Sequence, residues 1–99
     1  MDRGTADTVF AKREGVVLRR IADEHLLIPI RHDVTDIQAI YAVMGVGVRI
    51  WELLDGRRTL NEIRDSIVER YAVSDEAAWA DLCAFVDHLE ERGLVERLP

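Results

Sequence analysis

Apolar and polar residues follow different periods in the two halves of this chain, and the change falls inside one segment, Ile37–Gly56 (IQAIYAVMGVGVRIWELLDG). Its first part sets larger apolar residues among small or polar ones and is rich in Ile, Tyr and Val, which predicts a strand over Ile37–Val43. Its second part places Val46, Ile50, Trp51 and Leu54 on one side at helical spacing and stops at Asp55-Gly56. A strand feeds directly into a helix.

Before this segment the pattern is that of strands. VVLRRIA (residues 16–22) and HLLIPI (residues 25–30) are apolar, partly β-branched runs, joined by Asp23-Glu24 as a hairpin loop. Pro29 has no N–H to give a ladder, so it needs a solvent-facing place or a strand end. Arg31–Asp36 is a second short polar link, and short links make the three strands an antiparallel meander with the first and third at the edges. The first edge carries Arg19 and Arg20, a usual defence against unwanted pairing. The third edge carries none. From Ile37 through Val48 there are twelve residues without Asp, Glu, Lys or Arg.

After it the pattern is helical. A first helix covers about Gly45 to Asp55, with Gly56 suited to the left-handed position past its last turn. Thr59-Leu60-Asn61-Glu62 fits a capping box and opens a second helix through Tyr71, with Leu60, Ile63, Ile67, Val68 and Tyr71 as its buried stripe. Ser74, followed by Asp75 and Glu76, caps a third helix running to Arg92. Gly93-Leu94 then reads as a glycine cap with a hydrophobic contact, and Leu94–Leu98 as a short final strand. Were that tail to pair with the third strand, the uncharged edge would be closed. The first fifteen residues, polar and aperiodic from Met1 to about Ala11, form a flexible lead-in, and residues 16–99 one domain. The order βββααα is a winged-helix-like α+β fold: a three-stranded antiparallel sheet followed by three helices.

Composition narrows the function. Ninety-nine residues, 48% of them hydrophobic, supply one modest core, and a formal charge of -6 disfavours nucleic acid as a partner. A single cysteine, an N-terminus without the apolar core of a secretory signal and the lack of a membrane-length apolar run place the protein in the cytoplasm. His25, His32 and His88 sit in separate elements and are not spaced with Cys83 as zinc ligands, so no metal is expected. Gly45-Val46-Gly47 lacks the lysine of a P-loop and the third glycine of a dinucleotide fingerprint. No cofactor and no catalytic residue is expected.

Cys83 lies mid-helix as an inert apolar thiol, and Trp51 and Trp79 mainly fill core. Leu82, Phe85 and Leu89 belong to the main core, whereas Trp79, Cys83 and Val86 form a second apolar stripe on the third helix. If that helix lies beside the third strand, its stripe and the uncharged edge (Ile37, Gln38, Ala39, Ile40, Tyr41, Ala42, Val43) frame a slot for an extended peptide. Backbone pairing along the edge would bind the guest, and side-chain pockets would choose it.

The runs VVLRRIADEHLLIPI and IYAV, then G-x-x-IWELLDG-x-R-T-x-x-E-I, then LEERGLVE, resemble the PqqD-like family over nearly the whole stretch from Val16 to Glu96. Many relatives place an Asn-Glu pair before the first helix, where this chain has Met44-Gly45. The resemblance implies a RiPP recognition element, a non-catalytic chaperone. Such domains hold the leader of a ribosomally made precursor peptide as an added strand between strand three and helix three, and present the core peptide to a modifying enzyme, commonly a radical SAM protein. Two other readings stay open at this point. One is a winged-helix DNA-binding or regulatory protein, which needs Arg13, Arg19, Arg20, Arg31, Arg57 and Arg58 on one face; the other is a homodimer paired through the third strand.

Overall fold

A computed structural model describes residues 6–30, 41–43 and 45–99, Tyr41 by its backbone alone. Its elements in chain order are β1 (Val9–Lys12), β2 (Val16–Ile21), β3 (Glu24–Pro29), β4 (Tyr41–Val43), α1 (Val46–Leu53), β5 (Asp55–Thr59), α2 (Leu60–Tyr71), α3 (Asp75–Glu91) and β6 (Val95–Arg97). The meander and the three helices are as expected, with β2, β3 and β4 as the three antiparallel strands. A second antiparallel sheet, ordered β5-β1-β6, joins them.

That second sheet departs from the sequence reading in two places and supplies the partner of the final strand. Val9–Lys12 is a central strand inside the stretch read as lead-in, and Phe10 within it is fully buried. Four residues with one buried side chain are too short a sample for a period of two to show. Asp55, read as the end of the first helix, instead opens a strand through Thr59 against β1, pairing Val9 with Thr59 and Ala11 with Asp55, while Gly56 keeps its positive φ of 79 and Thr59 still caps the second helix. The strand's residues DGRRT expose polar side chains and carry no alternation. The final strand is present, and it pairs with β1, Phe10 opposite Arg97, leaving β4 to β3.

Local chemistry accounts for most boundaries. The capping box holds: the Glu62 N–H donates to the Thr59 hydroxyl at 3.1 Å and the Thr59 N–H donates to the Glu62 carboxylate at 2.9 Å. At the end of α3 the Gly93 and Leu94 N–H groups donate to the carbonyls of Glu90 and Leu89, a Schellman motif, with Leu94 and Leu89 both buried. The β2–β3 loop is Ala22-Asp23, one residue earlier than expected, because Ile21 pairs with Glu24. Ala22 takes φ 56 there, in a two-residue loop where glycine is usual, which is why composition concealed the turn. Pro29 is the last residue of β3, the tolerated place.

α1 begins at Gly45 (φ 54, ψ -123) with no side-chain cap, and its last carbonyls are met by Lys12, whose ammonium donates to the Leu54 carbonyl at 3.0 Å. The same ammonium stands 5.5 Å from the Trp51 ring. Burial lowers the Lys12 pKa, so this contact draws a partly desolvated charge onto the negative end of the helix. Ile50, Trp51 and Leu54 of this segment meet Leu60 and Ile63 of α2, Leu82 and Leu89 of α3, and Leu27 of β3 in one buried cluster.

At the start of β5 the Arg58 and Arg57 N–H groups donate to the Asp55 carboxylate at 3.0 and 2.9 Å, with the Arg58 guanidinium beside it. These bonds hold the Asp55 carboxyl below its ordinary range. The folded state therefore binds fewer protons than the unfolded chain, and the stabilisation, present above the ordinary carboxylate range, is lost as pH falls through the folded value. Asp55→Asn is expected to flatten, slightly, the decline in stability as pH falls below the ordinary carboxylate range, the group being solvent-screened. Urea unfolding of both forms at neutral pH and at about pH 2.5 measures the difference.

Candidate functional site

The hairpin register fixes which backbone groups of β4 face outward. In a two-residue hairpin the closing pair, here Ile21 and Glu24, exchanges both hydrogen bonds, so Glu24, Leu26 and Ile28 address β2. His25 and Leu27 must then address β4, where their partners are Val43 and Tyr41. Ala42, opposite Leu26, is left as the non-bonded pair, and its N–H and C=O point away from β3. Among the described residues β4 pairs with β3 alone, so these two groups form an open edge.

The edge overlooks a depression of about 290 Å³, roughly ten water volumes at about 30 Å³ each. β4 supplies Ala42 and Val43, α1 supplies Val46, Gly47 and Ile50, and α3 supplies Asp81 and Phe85. Val43 and Ile50 are buried, Val46 and Phe85 half-buried, and Ala42 and Asp81 exposed. Gly47 allows this close assembly. A Cβ there would stand 2.9 Å from Val43 Cγ1 and 3.4 Å from Phe85 Cζ, so the approach of α1 to both walls depends on the missing side chain.

The predicted site residues divide into three groups. Ile37, Gln38, Ala39 and Ile40 lie outside the described residues, as does Met44. Tyr41, Ala42 and Val43 form β4 as expected. Trp79, Cys83 and Val86 lie on α3 and are not among the described residues that line this depression: Val86 is fully buried, Cys83 is buried at 7% exposure, and Trp79 borders another depression with Ala6, Arg64, Asp75 and Glu76. The core stripe of α3 is Ala78, Leu82, Val86 and Leu89. At 100° per residue Phe85 and Asp81 fall on one flank of that stripe, Trp79 and Cys83 on the other. Both flanks contain apolar residues, so periodicity shows two shoulders without saying which one faces the sheet. Phe85, read as core, is the residue of the groove.

Burial raises the Cys83 thiol above its ordinary range, which suppresses thiolate and nucleophilic chemistry. Among the described residues no group of three or more His, Cys, Asp or Glu could hold a metal ion, and no helix is long and apolar enough to cross a membrane. Arg19 and Arg20 stand on β2 whereas Arg57 and Arg58 stand on β5, in the other sheet. A strand edge with its own apolar depression can bind an extended chain.

Comparison with known proteins gives the same direction. The model of the family described as Coenzyme PQQ synthesis protein D (PqqD) matches residues 20–95. No curated protein sequence matches the chain. Among solved structures, TbiB1 in complex with the TbiA(beta) leader peptide is similar at a TM-score of 0.69 and 29% identity, over 87% of this chain and 94% of that one.

Proposed function

Because this chain belongs to the PqqD family, we propose that it is a non-catalytic recognition module for the leader of a ribosomally synthesised precursor peptide. The leader adds to β4 as a further antiparallel or parallel strand, pairs with the Ala42 backbone, and sets side chains into the depression between β4, α1 and α3. The module then presents the rest of the precursor to a modifying enzyme, such as a radical SAM protein. The observation that carries this reading is the open Ala42 edge above an apolar depression, in a chain whose structural relative TbiB1 is held with a leader peptide.

The placement differs from the sequence reading on one wall. Asp81 and Phe85 of α3, with Val46, Gly47 and Ile50 of α1, replace Trp79, Cys83 and Val86 as the proposed partners of strand four's edge. Each added backbone hydrogen bond nets only about 0.5–1.5 kcal/mol, and selectivity falls to these side chains. Titration with precursor peptides encoded beside the gene, followed by backbone amide shifts, tests the reading. Shifts are expected at Ala42, Val43, the first turn of α1 and around Asp81–Phe85; shifts confined to the β5-β1-β6 sheet would overturn it.

A further inference from the structure

We propose that Asp81 is a specificity-determining residue that selects leaders bearing Lys or Arg two positions from an apolar anchor; the inference rests on the reading that the depression receives an extended peptide. Among the described residues lining the depression, Asp81 is the one that carries a charge. It is exposed, and among the described residues no hydrogen bond or ion pair engages its carboxylate. Its own helix offers no neutralising neighbour: positions three and four away are Ala77, Ala78, Ala84 and Phe85. The carboxylate therefore stands beside an apolar hollow with no compensating charge among the described residues.

Spacing turns that charge into a sequence requirement. Asp81 and Phe85 are one helical turn apart, about 5–6 Å between their Cβ atoms. Alternate side chains on one face of an extended peptide are about 6.6 Å apart, at about 3.3 Å per residue. A guest strand running along α3 thus sets one side chain against Phe85 and Ile50 and the next on the same face against Asp81. The first partner is apolar by complementarity with Val46, Ile50 and Phe85. The second is cationic, because a carboxylate there repels Asp and Glu and gains nothing from an apolar side chain. The overall charge of -6 favours approach of the same peptides.

The test is selection from a displayed library of random decapeptides against the wild-type chain, Asp81→Asn and Asp81→Lys, with amide spectra checking that each variant is folded. The wild type is expected to enrich Lys or Arg two positions from an apolar residue, by about 1.5- to 5-fold over uncharged residues. Asp81→Asn is expected to lose that preference, and Asp81→Lys to enrich Asp or Glu at the same position. Enrichment of the same peptides by wild type and Asp81→Lys, or an enriched set without charge preference, would overturn the role of Asp81 while leaving peptide binding standing. A wild-type selection that enriches no peptide at all would overturn peptide binding and this inference together.

Discussion

Ala42→Pro is expected to weaken leader binding by roughly 10- to 100-fold while leaving the domain folded, and Val43→Pro to unfold it. The two neighbours differ because of hairpin parity. The Val43 N–H belongs to the ladder with His25 and its side chain is 2% exposed, so proline there removes an internal bond and a core contact. The Ala42 N–H faces outward, and proline removes only a donor that the free protein offers to solvent. Loss of that donor removes about 1 kcal/mol, and the ring standing on the edge obstructs the approaching strand, which accounts for the remainder. Calorimetric titration with a leader peptide, beside circular dichroism of both variants, reads the outcome. Equal loss of structure in both would remove the assignment of the Ala42 backbone to the open edge.

The largest effect on stability is expected from Phe10→Ala. Phe10 is fully buried in the central strand of the β5-β1-β6 sheet, and the Arg97 guanidinium stands 5.3 Å from its ring. Truncating a buried phenylalanine costs about 3–5 kcal/mol, a large part of the roughly 5–15 kcal/mol that holds a small domain together. At about 4–8 °C per kcal/mol for a domain of this size, the midpoint of thermal unfolding falls by at least about 12 °C. A shift of a degree or two would show that β1 contributes little to the fold. The variant also separates β1 from a dispensable lead-in, since removal of polar residues alone has no comparable effect.

The helical half and the meander were legible in the residues because each has a redundant signal. Thr59 and Glu62 cap α2 reciprocally, Gly93 and Leu94 close α3, and strong apolar stripes lie between. Of the β5-β1-β6 sheet only the final strand was legible, since β1 is four residues with a single fully buried side chain and DGRRT has the composition of a loop. The candidate site was half legible. Missing charge pointed to the Ala42–Val43 edge, but the other wall depended on how α3 is rotated against the sheet. Trp79 and Cys83 on one flank and Phe85 on the other make both rotations plausible to a periodicity argument, and only packing against Val43 and Gly47 decides between them. Gly47 itself gave a usable hint: a glycine inside a helical pattern is unfavourable by about 1 kcal/mol, and here close approach explains its presence.

The tie between α3 and β6 has a mechanical consequence. Through Leu94 and Val95 the far end of α3 is anchored beside β1, and the Arg13 N–H donates to the Leu94 carbonyl at 3.1 Å, so this helix is braced by the β5-β1-β6 sheet, which lends no residue to the depression among those described. The opposite jaw, β4, hangs from β3. The gap into which a leader would slide is therefore a distance between two separately built halves of the molecule, a gauge set by how they seat on each other and not by either half alone.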